Sequence, residues 1–331
     1  MMHRSIPTCT LRQRPVSDDA NGVTVLDAVA TYVPDRRVPI ADLADELGLT
    51  PTQVKVFKRF LGLADVRRDP GGTLLDLLLA GASRLGALRG REQHVRYVLH
   101  ARATTVVTPY PVNPLHELCG MLGLDHAVAF AVNHHGCATG LLALDIAGRL
   151  LAADTDPDAL ALVLTGEKAF THDAQFMPGI SVFGEAAAAC LVRAEGPRNR
   201  LLSYCTIVHG EFAGRFTDDP DVAAQYERVF PESLAEAMLT AAARAGLAIE
   251  EISLILPHNV NLMAWRRACR RIGFPVERVL LDNIPLIGHA FCADAFINYA
   301  TAAERGLLRP GDRYLIVAAG GANFSAMVYQ H

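Results

Sequence analysis

The 331-residue sequence lacks several features that would point to particular classes of protein. Its seven cysteines are scattered, odd in number and form no CxxC pair, so we expect a reducing cytoplasm and no disulfide framework. No uninterrupted apolar run approaches the roughly 20 residues of a membrane span. The net charge of −4 provides no excess of positive charge for nucleic acid. These absences predict a cytoplasmic protein that binds neither a membrane nor nucleic acid.

The N-terminus also lacks the apolar core of a secretory signal, because its first 20 residues are polar and contain arginine. We expect residues 1–20 to form a loose tail. A polar stretch at residues 196–200 is a plausible boundary inside the folded part. The sequence therefore predicts two halves, residues 21–197 and residues 198–331.

Strand-like and helical runs alternate along both halves, which is typical of an α/β protein with buried strands. Strands are predicted at residues 23–29, 95–99, 127–132, 160–165, 252–256 and 314–318. Helices are predicted at residues 41–47, 53–60, 141–151, 233–244, 262–272 and 290–305. Two helix-then-strand units have similar lengths, with Gly166 29 residues after Cys137 and Gly320 31 residues after His289. This similarity predicts a duplicated fold in which two related helices meet at the centre.

Cys137 lies in a tight turn between an apolar strand and an apolar helix. A helix N-terminus favours a thiolate through its dipole and its free N–H groups. His258 follows a predicted buried strand, where open α/β sheets place active-site groups, and His289 opens the helix that mirrors the one after Cys137. One nucleophilic cysteine with two distant histidines suits covalent acyl transfer.

Five segments in this order resemble the β-ketoacyl-acyl carrier protein synthase III branch of the thiolase-like condensing enzymes. They are the Cys137 turn, residues 183–188, residues 258–261, residues 288–289 and residues 319–322. The resemblance runs from about residue 23 to residue 329. It implies a thiolase-like five-layered fold of two duplicated α/β halves, usually a homodimer, and a cysteine that takes an acyl group from a thioester. The implied substrate is an acyl-phosphopantetheine thioester on a carrier protein or CoA, with no further cofactor.

The resemblance also assigns roles by position. Cys137 would be the nucleophile and His258 would lie beside the thioester carbonyl. Backbone N–H groups of Cys137 and of Gly320 and Gly321 would form the oxyanion hole, where one donor is typically worth roughly 3 kcal/mol in the transition state. Asn261 would orient the loop that bears His258.

Two further residues are expected near the acyl group, Tyr110 because of the resemblance and His135 because it is close to Cys137 in the sequence. Tyr110 falls near the dimer-facing wall of the acyl pocket. His135, in the turn before Cys137, is expected in the substrate pocket.

The sequence departs from the family at three places. His289 stands where the family usually has asparagine, and an imidazole can act as a base where an amide cannot. The turn at residues 133–136 is bulkier and more polar than expected. No tryptophan occurs near residues 54–59 to hold a CoA adenine, although Arg59 would remain from that site; the only tryptophan is Trp265. These departures favour a specialised relative in natural-product assembly, with a carrier protein preferred over CoA.

Several residues have alternative interpretations. His134 and His135 could suggest a zinc site, but no fourth ligand is evident at a suitable spacing, so we expect no metal. Glu185 either bonds the backbone or takes part in catalysis. Arg266, Arg267, Arg270 and Arg271 form either a solvated helix face or a contact for an acidic carrier protein or a phosphopantetheine phosphate.

These residues are compatible with three functions. The first is acyl transfer through a Cys137 thioester onto a hydroxyl or amine of a small molecule. The alternative is decarboxylative condensation with a malonyl thioester by a 3-oxoacyl synthase. A non-catalytic partner subunit is the third, and the intact Cys137 argues against it.

Overall fold

A computed structural model describes residues 24–212 and 220–331. The strands are β1 (Val25–Tyr32), β2 (Arg37–Pro39), β3 (Asp65–Arg67), β4 (Val95–Ala101), β5 (Val128–Val132), β6 (Leu160–Gly166), β7 (Phe176–Met177), β8 (Ser181–Val182), β9 (Ala187–Arg193), β10 (Arg200–Val208), β11 (Ile252–Pro257), β12 (Arg313–Gly320) and β13 (Asn323–Gln330). The helices are α1 (Pro51–Val56), α2 (Leu74–Ala82), α3 (Pro114–Met121), α4 (Thr139–Ala153), α5 (His172–Gln175), α6 (Pro220–Arg244), α7 (Leu262–Ile272), α8 (Ile284–Ile287) and α9 (Asp294–Glu304). The predicted tail, residues 1–20, lies outside the described residues.

The main sheet consists of two similar half-sheets. Its strand order is β11-β12-β13-β10-β1-β9-β6-β4-β5, and β1 and β10 meet at Val25 and Arg200. On one side β4 is parallel to β6, β6 antiparallel to β9, and β9 antiparallel to β1. On the other side β11 is parallel to β12, β12 antiparallel to β13, and β13 antiparallel to β10. The predicted duplication is confirmed, while the exact boundary between residues 197 and 198 stays a prediction.

Three apolar cores lie between the layers of the fold. Along β6, Leu160, Leu162 and Leu164 pack with α2 and α3, while Ala161 and Val163 face a central core that contains α4 and α9. On β12 the same alternation divides the side chains between this central core and a third core with α6 and α7. Because side chains alternate between the faces of a strand, both half-sheets are buried on both faces. The predicted five-layered α/β fold is confirmed.

Small residues on α4 allow this helix to pack closely against its neighbours in the central layer. A Cβ on Gly140 of α4 would lie 2.8 Å from the ring of Phe296 on α9. A Cβ on Gly148 would overlap the side chain of Thr24. Residues Gly136–Ala153 are long and apolar enough to resemble a membrane span, but α4 packs between the two half-sheets.

Several observed elements were not predicted, among them α2, α3, β9, β10 and β13, and others differ from the prediction at their ends. Helix α7 occupies residues 262–272 as predicted. Helix α6 begins at Pro220 rather than at the predicted residue 233, and Pro231 lies inside it. A 3₁₀ turn at Phe291–Ala293 precedes α9, so the predicted helix 290–305 begins later than expected.

Candidate active site

The three predicted catalytic residues lie on one cavity of about 250 Å³. Cys137 is in the 3₁₀ turn Gly136–Ala138 that leads into α4. His258 follows β11, and His289 follows α8. All three side chains are buried, so they are held within the protein and reach substrate only through this cavity.

Two glycines allow the backbone to come close to the nucleophile. A Cβ on Gly320 would overlap the backbone nitrogen of Cys137, and a Cβ on Gly136 would lie 2.6 Å from the carbonyl carbon of Gly320. The φ of Gly136 is 53°, a left-handed conformation that favours glycine. Gly320 and Gly321 both line the cavity beside Cys137. Their predicted role in an oxyanion hole is compatible with this contact and stays a prediction.

His289 connects Cys137 to a buried carboxylate that the sequence alone did not reveal. The Sγ atom of Cys137 lies 3.1 Å from Nε2 of His289, and Nδ1 of His289 forms a short hydrogen bond to the carboxylate of Asp294. Asp294 opens α9, five residues after His289. A nucleophile, a base and a carboxylate that orients the base form the arrangement of a catalytic triad. An acidic residue at the start of the predicted helix 290–305 was the signal that could have identified it.

The carboxylate of Asp294 is fixed by several donors. The backbone N–H of Asn259 donates to it at 2.6 Å and the side-chain amide of Asn259 at 3.2 Å. The backbone N–H of Ala290 donates at 2.7 Å. Because these donors fix the carboxylate in place, Asp294 can hold the imidazole of His289 in one orientation.

The two imidazoles have opposite shifts of pKa. Burial alone lowers the pKa of His289, but the negative charges of Cys137 and Asp294 outweigh burial and raise it to about 10. Burial lowers the pKa of His258 well below its usual value, and the nearby charge of His289 lowers it further. These shifts favour the protonated form of His289 and the neutral form of His258. Such a separation of pKa values is typical of acid–base sites.

His258 presents its imidazole to the cavity. Neither Nδ1 nor Nε2 makes a hydrogen bond of ordinary geometry within residues 24–212 and 220–331, although the side chain is buried and the backbone of Val317 is near enough to oppose the fall of its pKa. Its backbone carbonyl accepts a hydrogen bond from Trp265 Nε1 at 2.8 Å, and the two rings pack edge to face. The rings of His258 and His289 have centroids 5.7 Å apart. The imidazole of His258 is thus available to a substrate in the cavity.

Asn261 is placed to hold the segment between β11 and α7. Its Oδ1 accepts the N–H of Ala264 at 2.8 Å, which caps α7, and its Nδ2 donates to the carbonyl of Ile180 at 3.0 Å. These bonds tie the loop after His258 to a neighbouring segment. The predicted orienting role is compatible with them and stays a prediction.

Comparisons with known proteins find synthase III sequences. A family model described as 3-oxoacyl-[acyl-carrier-protein (ACP)] synthase III C terminal matches residues 242–331, which include His258, His289 and Gly320. β-Ketoacyl-[acyl-carrier-protein] synthase III of Nitratidesulfovibrio vulgaris is 28% identical over 221 residues, which cover 60% of this chain and 66% of that protein. Synthase III 3 of Streptomyces coelicolor is 26% identical over 325 residues, which cover 90% of this chain and 94% of that protein.

Solved structures share the fold. Synthase III of Thermus thermophilus has a TM-score of 0.76 at 22% identity and covers 93% of this chain and 99% of that one. ChlB3, described as an acyltransferase, has a TM-score of 0.81 at 18% identity and covers 93% of this chain and 97% of that one. The chain is related to the synthase III family.

A second cavity of this synthase III-like protein, of about 620 Å³, adjoins the first. Ile180, Tyr226, Phe230 and Val260 line both cavities. The second cavity extends between α6, α7 and the turn after α1. A route from the surface to Cys137 can therefore pass between these two helices.

Two residues predicted near the acyl group do not line the inner cavity. His135 is half-buried, and the turn presents Gly136 and Cys137 to the cavity instead, which corrects its predicted place in the substrate pocket. Burial and the adjacent His134 lower the pKa of His135. Tyr110 is 98% exposed in the segment after β4, so it does not line the pocket of its own chain. Its contribution across a dimer stays a prediction.

The four arginines of α7, Arg266, Arg267, Arg270 and Arg271, fall into two pairs with different surroundings. Arg267 pairs with Glu227 at 3.4 Å and Arg271 with Glu232 at 3.1 Å, and both acids belong to α6. Arg266 and Arg270 are exposed on α7 and form no ion pair within the described part of the chain. Arg59 is exposed in the π-helical turn Phe57–Leu61, which contacts α7. Their predicted role in binding a carrier protein or a phosphopantetheine phosphate stays a prediction.

Glu185 bonds neighbouring groups rather than facing the cavity. It accepts hydrogen bonds from Lys168 Nζ at 2.6 Å and from the backbone N–H groups of Asp69 and Ala169 at 2.8 and 3.1 Å. This agrees with the interpretation of Glu185 as a residue that bonds the backbone. Within residues 24–212 and 220–331, no group of three or more histidine, cysteine, aspartate or glutamate side chains is arranged to hold a metal ion.

Proposed function

We propose that this protein transfers an acyl group from a thioester, through an acyl-enzyme on Cys137, onto a hydroxyl or amine of a small molecule. The observation that carries this proposal is the Cys137–His289–Asp294 arrangement, in which a buried carboxylate orients an imidazole toward the nucleophile. An asparagine at residue 289 could not exchange a proton in this way.

The first half-reaction forms the acyl-enzyme. The Cys137 thiolate attacks the thioester carbonyl, and backbone N–H groups of Cys137 and of the Gly320–Gly321 segment stabilise the oxyanion. When the tetrahedral intermediate collapses, the carbon–sulfur bond to the donor breaks. The departing thiolate takes the proton from the His289 imidazolium and leaves as a thiol.

The second half-reaction uses the resulting neutral His289 as a base. Acylation removes the thiolate charge that raises the pKa of His289, while Asp294 still holds Nδ1. Nε2 accepts the proton of the acceptor hydroxyl or amine, whose oxygen or nitrogen attacks the acyl carbonyl. The bond between the acyl carbon and Sγ of Cys137 breaks, which restores the thiolate and the imidazolium. Proton acceptance by such a base contributes roughly 100- to 10,000-fold in rate.

The donor is proposed to reach Cys137 through the outer cavity. A phosphopantetheine arm carried by an acidic carrier protein suits a passage between α6 and α7 with the exposed Arg59, Arg266 and Arg270 nearby. CoA carries the same arm and is the second donor. No cofactor other than this acyl-phosphopantetheine thioester is required, and the acceptor belongs to natural-product biosynthesis. We further propose a cytoplasmic homodimer in which Tyr110 faces the partner subunit.

Decarboxylative condensation is the alternative, and His258 is the observation that favours it. Two imidazoles line the same cavity, and neither ring nitrogen of His258 makes a hydrogen bond of ordinary geometry among the described residues. Such a group can donate to the oxygen of the enolate that forms when a malonyl thioester loses carbon dioxide. Relatives of this chain carry the name of such a synthase.

One experiment tests the proposal and separates it from the alternative. Purified protein is incubated with acyl thioesters of N-acetylcysteamine and of a carrier protein, and intact mass is measured. We expect one acyl group per chain and none on the Cys137→Ala variant. Burial and the charges of Glu167 and Cys137 raise the pKa of the Cys292 thiol well above its usual value, so an adduct on Cys292 is not expected. An adduct that survives Cys137→Ala contradicts the assignment.

The acceptor half-reaction gives the second readout. With the acyl-enzyme in place, small alcohols and amines should discharge Cys137, and a malonyl thioester should release no carbon dioxide. Carbon dioxide release that depends on His258 and His289 would favour the condensing enzyme.

A further inference from the structure

Three buried asparagine side chains form a continuous hydrogen-bonded series behind Asp294. Nδ2 of Asn259 donates to the carboxylate of Asp294 at 3.2 Å, and Nδ2 of Asn298 donates to Oδ1 of Asn259 at 2.9 Å. Nδ2 of Asn283 donates in turn to Oδ1 of Asn298 at 2.7 Å. All three asparagines are buried. Asn259, Asn298 and Asn283 are called the amide network below.

Every amide of this network points its nitrogen toward the carboxylate. The carbonyl of Pro257 fixes this direction, because it can only accept a hydrogen bond and it accepts from Nδ2 of Asn298 at 2.7 Å. At the far end, the hydroxyl of Thr301 donates to the carbonyl of Ile297 at 3.0 Å, so it accepts from Nδ2 of Asn283, which lies at 2.9 Å. An inverted amide at either place would set oxygen against oxygen.

This direction makes the bond from Asn259 to Asp294 depend on Asn298. Amides aligned in a buried series polarise one another and strengthen each other's hydrogen bonds. Without the donor of Asn298, Oδ1 of Asn259 would have nothing to hold it, and the amide could turn away from the carboxylate. Asn298 therefore fixes Asn259, and Asn259 fixes Asp294.

Asn298 also joins the two segments that carry the imidazoles. It lies one helical turn after Asp294, on the same face of α9. Its amide nitrogen bonds the residues on either side of His258, and its oxygen accepts from the residue that precedes α8. His289 lies just after that short helix. One side chain thus connects both loops of the site.

We propose that Asn298 is a positioning residue of the acyl-transfer site. It acts through Asn259 on Asp294, and the carboxylate keeps the imidazole of His289 directed at Cys137. Asn298 lines neither cavity, so its effect passes through the amide network rather than through contact with substrate. This inference rests on the proposed acyl-enzyme at Cys137.

The first test removes the polar atoms of Asn298 and keeps its approximate size. Asn298→Leu should slow acetyl loading of Cys137 from acetyl-N-acetylcysteamine roughly 10- to 100-fold, as happens when the partners behind metal-binding histidines are removed. Loading is followed by intact mass. The low-field proton resonance of the His289 Nδ1–H group, assigned by its loss in His289→Gln, should move upfield and broaden, because the carboxylate that accepts it is less well fixed.

A double-mutant cycle shows whether Asn298 acts through Asp294. If it does, Asn298→Leu has little left to disturb once the carboxylate is gone. The double variant should then load no more than about threefold more slowly than Asp294→Asn alone. Multiplication of the two single losses would mean that Asn298 acts elsewhere, and it would overturn the proposal.

A second variant keeps the test decisive if Asn298→Leu does not fold. Asn298→Ser retains a polar group, but a hydroxyl has one proton and cannot donate to both Pro257 and Asn259. Loading should therefore fall at least about threefold, and the His289 resonance should shift in the same direction as in the leucine variant.

Asn199→Ser is the matched control. Asn199 is also a buried asparagine, and its amide donates to the carbonyl of Leu26 at 3.2 Å and to the hydroxyl of Tyr299 at 2.8 Å. It lines neither cavity and does not belong to the amide network. This variant should keep the loading rate and the His289 resonance of the unaltered protein even if its melting temperature falls.

The outcomes separate this inference from the proposed function. If the unaltered protein forms no adduct on Cys137, the acyl-enzyme proposal fails, and the His289 resonance still tests the role of Asn298. If the protein loads, but folded Asn298 variants load at the unaltered rate with an unchanged resonance, the positioning role is wrong and acyl transfer stands.

Discussion

At the scale of single residues, two buried imidazoles whose centroids are 5.7 Å apart differ in charge because of their neighbours. Burial lowers the pKa of both His258 and His289. Only His289 has a carboxylate on one ring nitrogen and a cysteine on the other, and these negative charges reverse the shift. Asp294 is therefore a positioning residue that also sets the protonation state of the base.

Asp294→Asn should slow acyl transfer roughly 100- to 10,000-fold, because an amide neither holds the imidazole in the same tautomer nor supplies negative charge. The pKa of His289, about 10 in the unaltered protein, should fall. The His289 imidazolium should then lose its proton at a lower pH than in the unaltered protein. Ring ¹⁵N shifts of labelled histidine, followed from pH 5 to pH 11, measure this change separately from the rate.

The exposed Asp282 provides a matched control, since Asp282→Asn removes the same charge from a surface pair with Arg305. It should leave both the His289 titration and the transfer rate unchanged. If Asp294→Asn slows transfer but His289 keeps its titration, the role of Asp294 is structural only.

At the scale of elements, the site depends on the contact between the end of β12 and the turn before α4. Gly320 closes β12, and the backbone there leaves no space for a side chain beside Cys137. The nucleophile is thus positioned by a strand end from the other half of the molecule. A small change at Gly320 must displace either the strand end or the turn.

Gly320→Ala should reduce acyl loading of Cys137 at least 100-fold and lower the melting temperature, because its Cβ would overlap the Cys137 backbone nitrogen. Gly86→Ala is the control, since a Cβ there has nothing within 4 Å. Loading is measured by intact mass and stability by thermal unfolding. Normal loading by Gly320→Ala would show that the turn and the strand end are not tightly coupled.

The elements also show which parts of the fold a sequence can predict. Helix α7 was predicted at its observed bounds, because apolar and basic residues occupy opposite faces of it. Strand β9 was missed because its first three residues are alanine, which favours helices. Its burial on both faces, which a local pattern does not reveal, favours the strand.

The sequence likewise predicts some residues of the site and misses others. Cys137, His258 and His289 stand at element ends, which periodicity locates. Asp294 and the amide network behind it depend on side-chain contacts between separate segments, and no local pattern encodes these contacts. His135 was predicted in the substrate pocket only because it is close to Cys137 in the sequence. In the structure the turn directs Gly136 and Cys137, and not His135, toward the cavity.

At the scale of the whole molecule, the duplication brings the N-termini of α4 and α9 to the same place. Cys137 precedes α4 in the first half, and Asp294 begins α9 in the second. The sulfur of Cys137 and the carboxylate of Asp294 therefore lie at equivalent helix N-termini of the two halves. Each half alone lacks part of the Cys137–His289–Asp294 arrangement, and the proposed acyl transfer therefore requires their packing.

The surface around the outer cavity gives the last prediction. Charge reversal at Arg266 or Arg270 should slow loading from an acyl carrier protein several-fold at low salt, because these exposed charges would steer an acidic partner. Loading from N-acetylcysteamine thioesters should not change, since neither residue lines a cavity. The effect should diminish as salt is raised, because exposed charges are screened.

Arg309→Glu is the matched control, because Arg309 is exposed before β12 and lies at the opposite end of that strand from Gly320. An eight-residue strand separates the two by roughly 25 Å, so charge at Arg309 should not affect carrier loading. Equal slowing by Arg309→Glu and Arg266→Glu would mean that net charge, and not a docking surface on α7, controls the encounter. Equal loading from carrier protein and CoA in every variant would remove the preference for a carrier protein altogether.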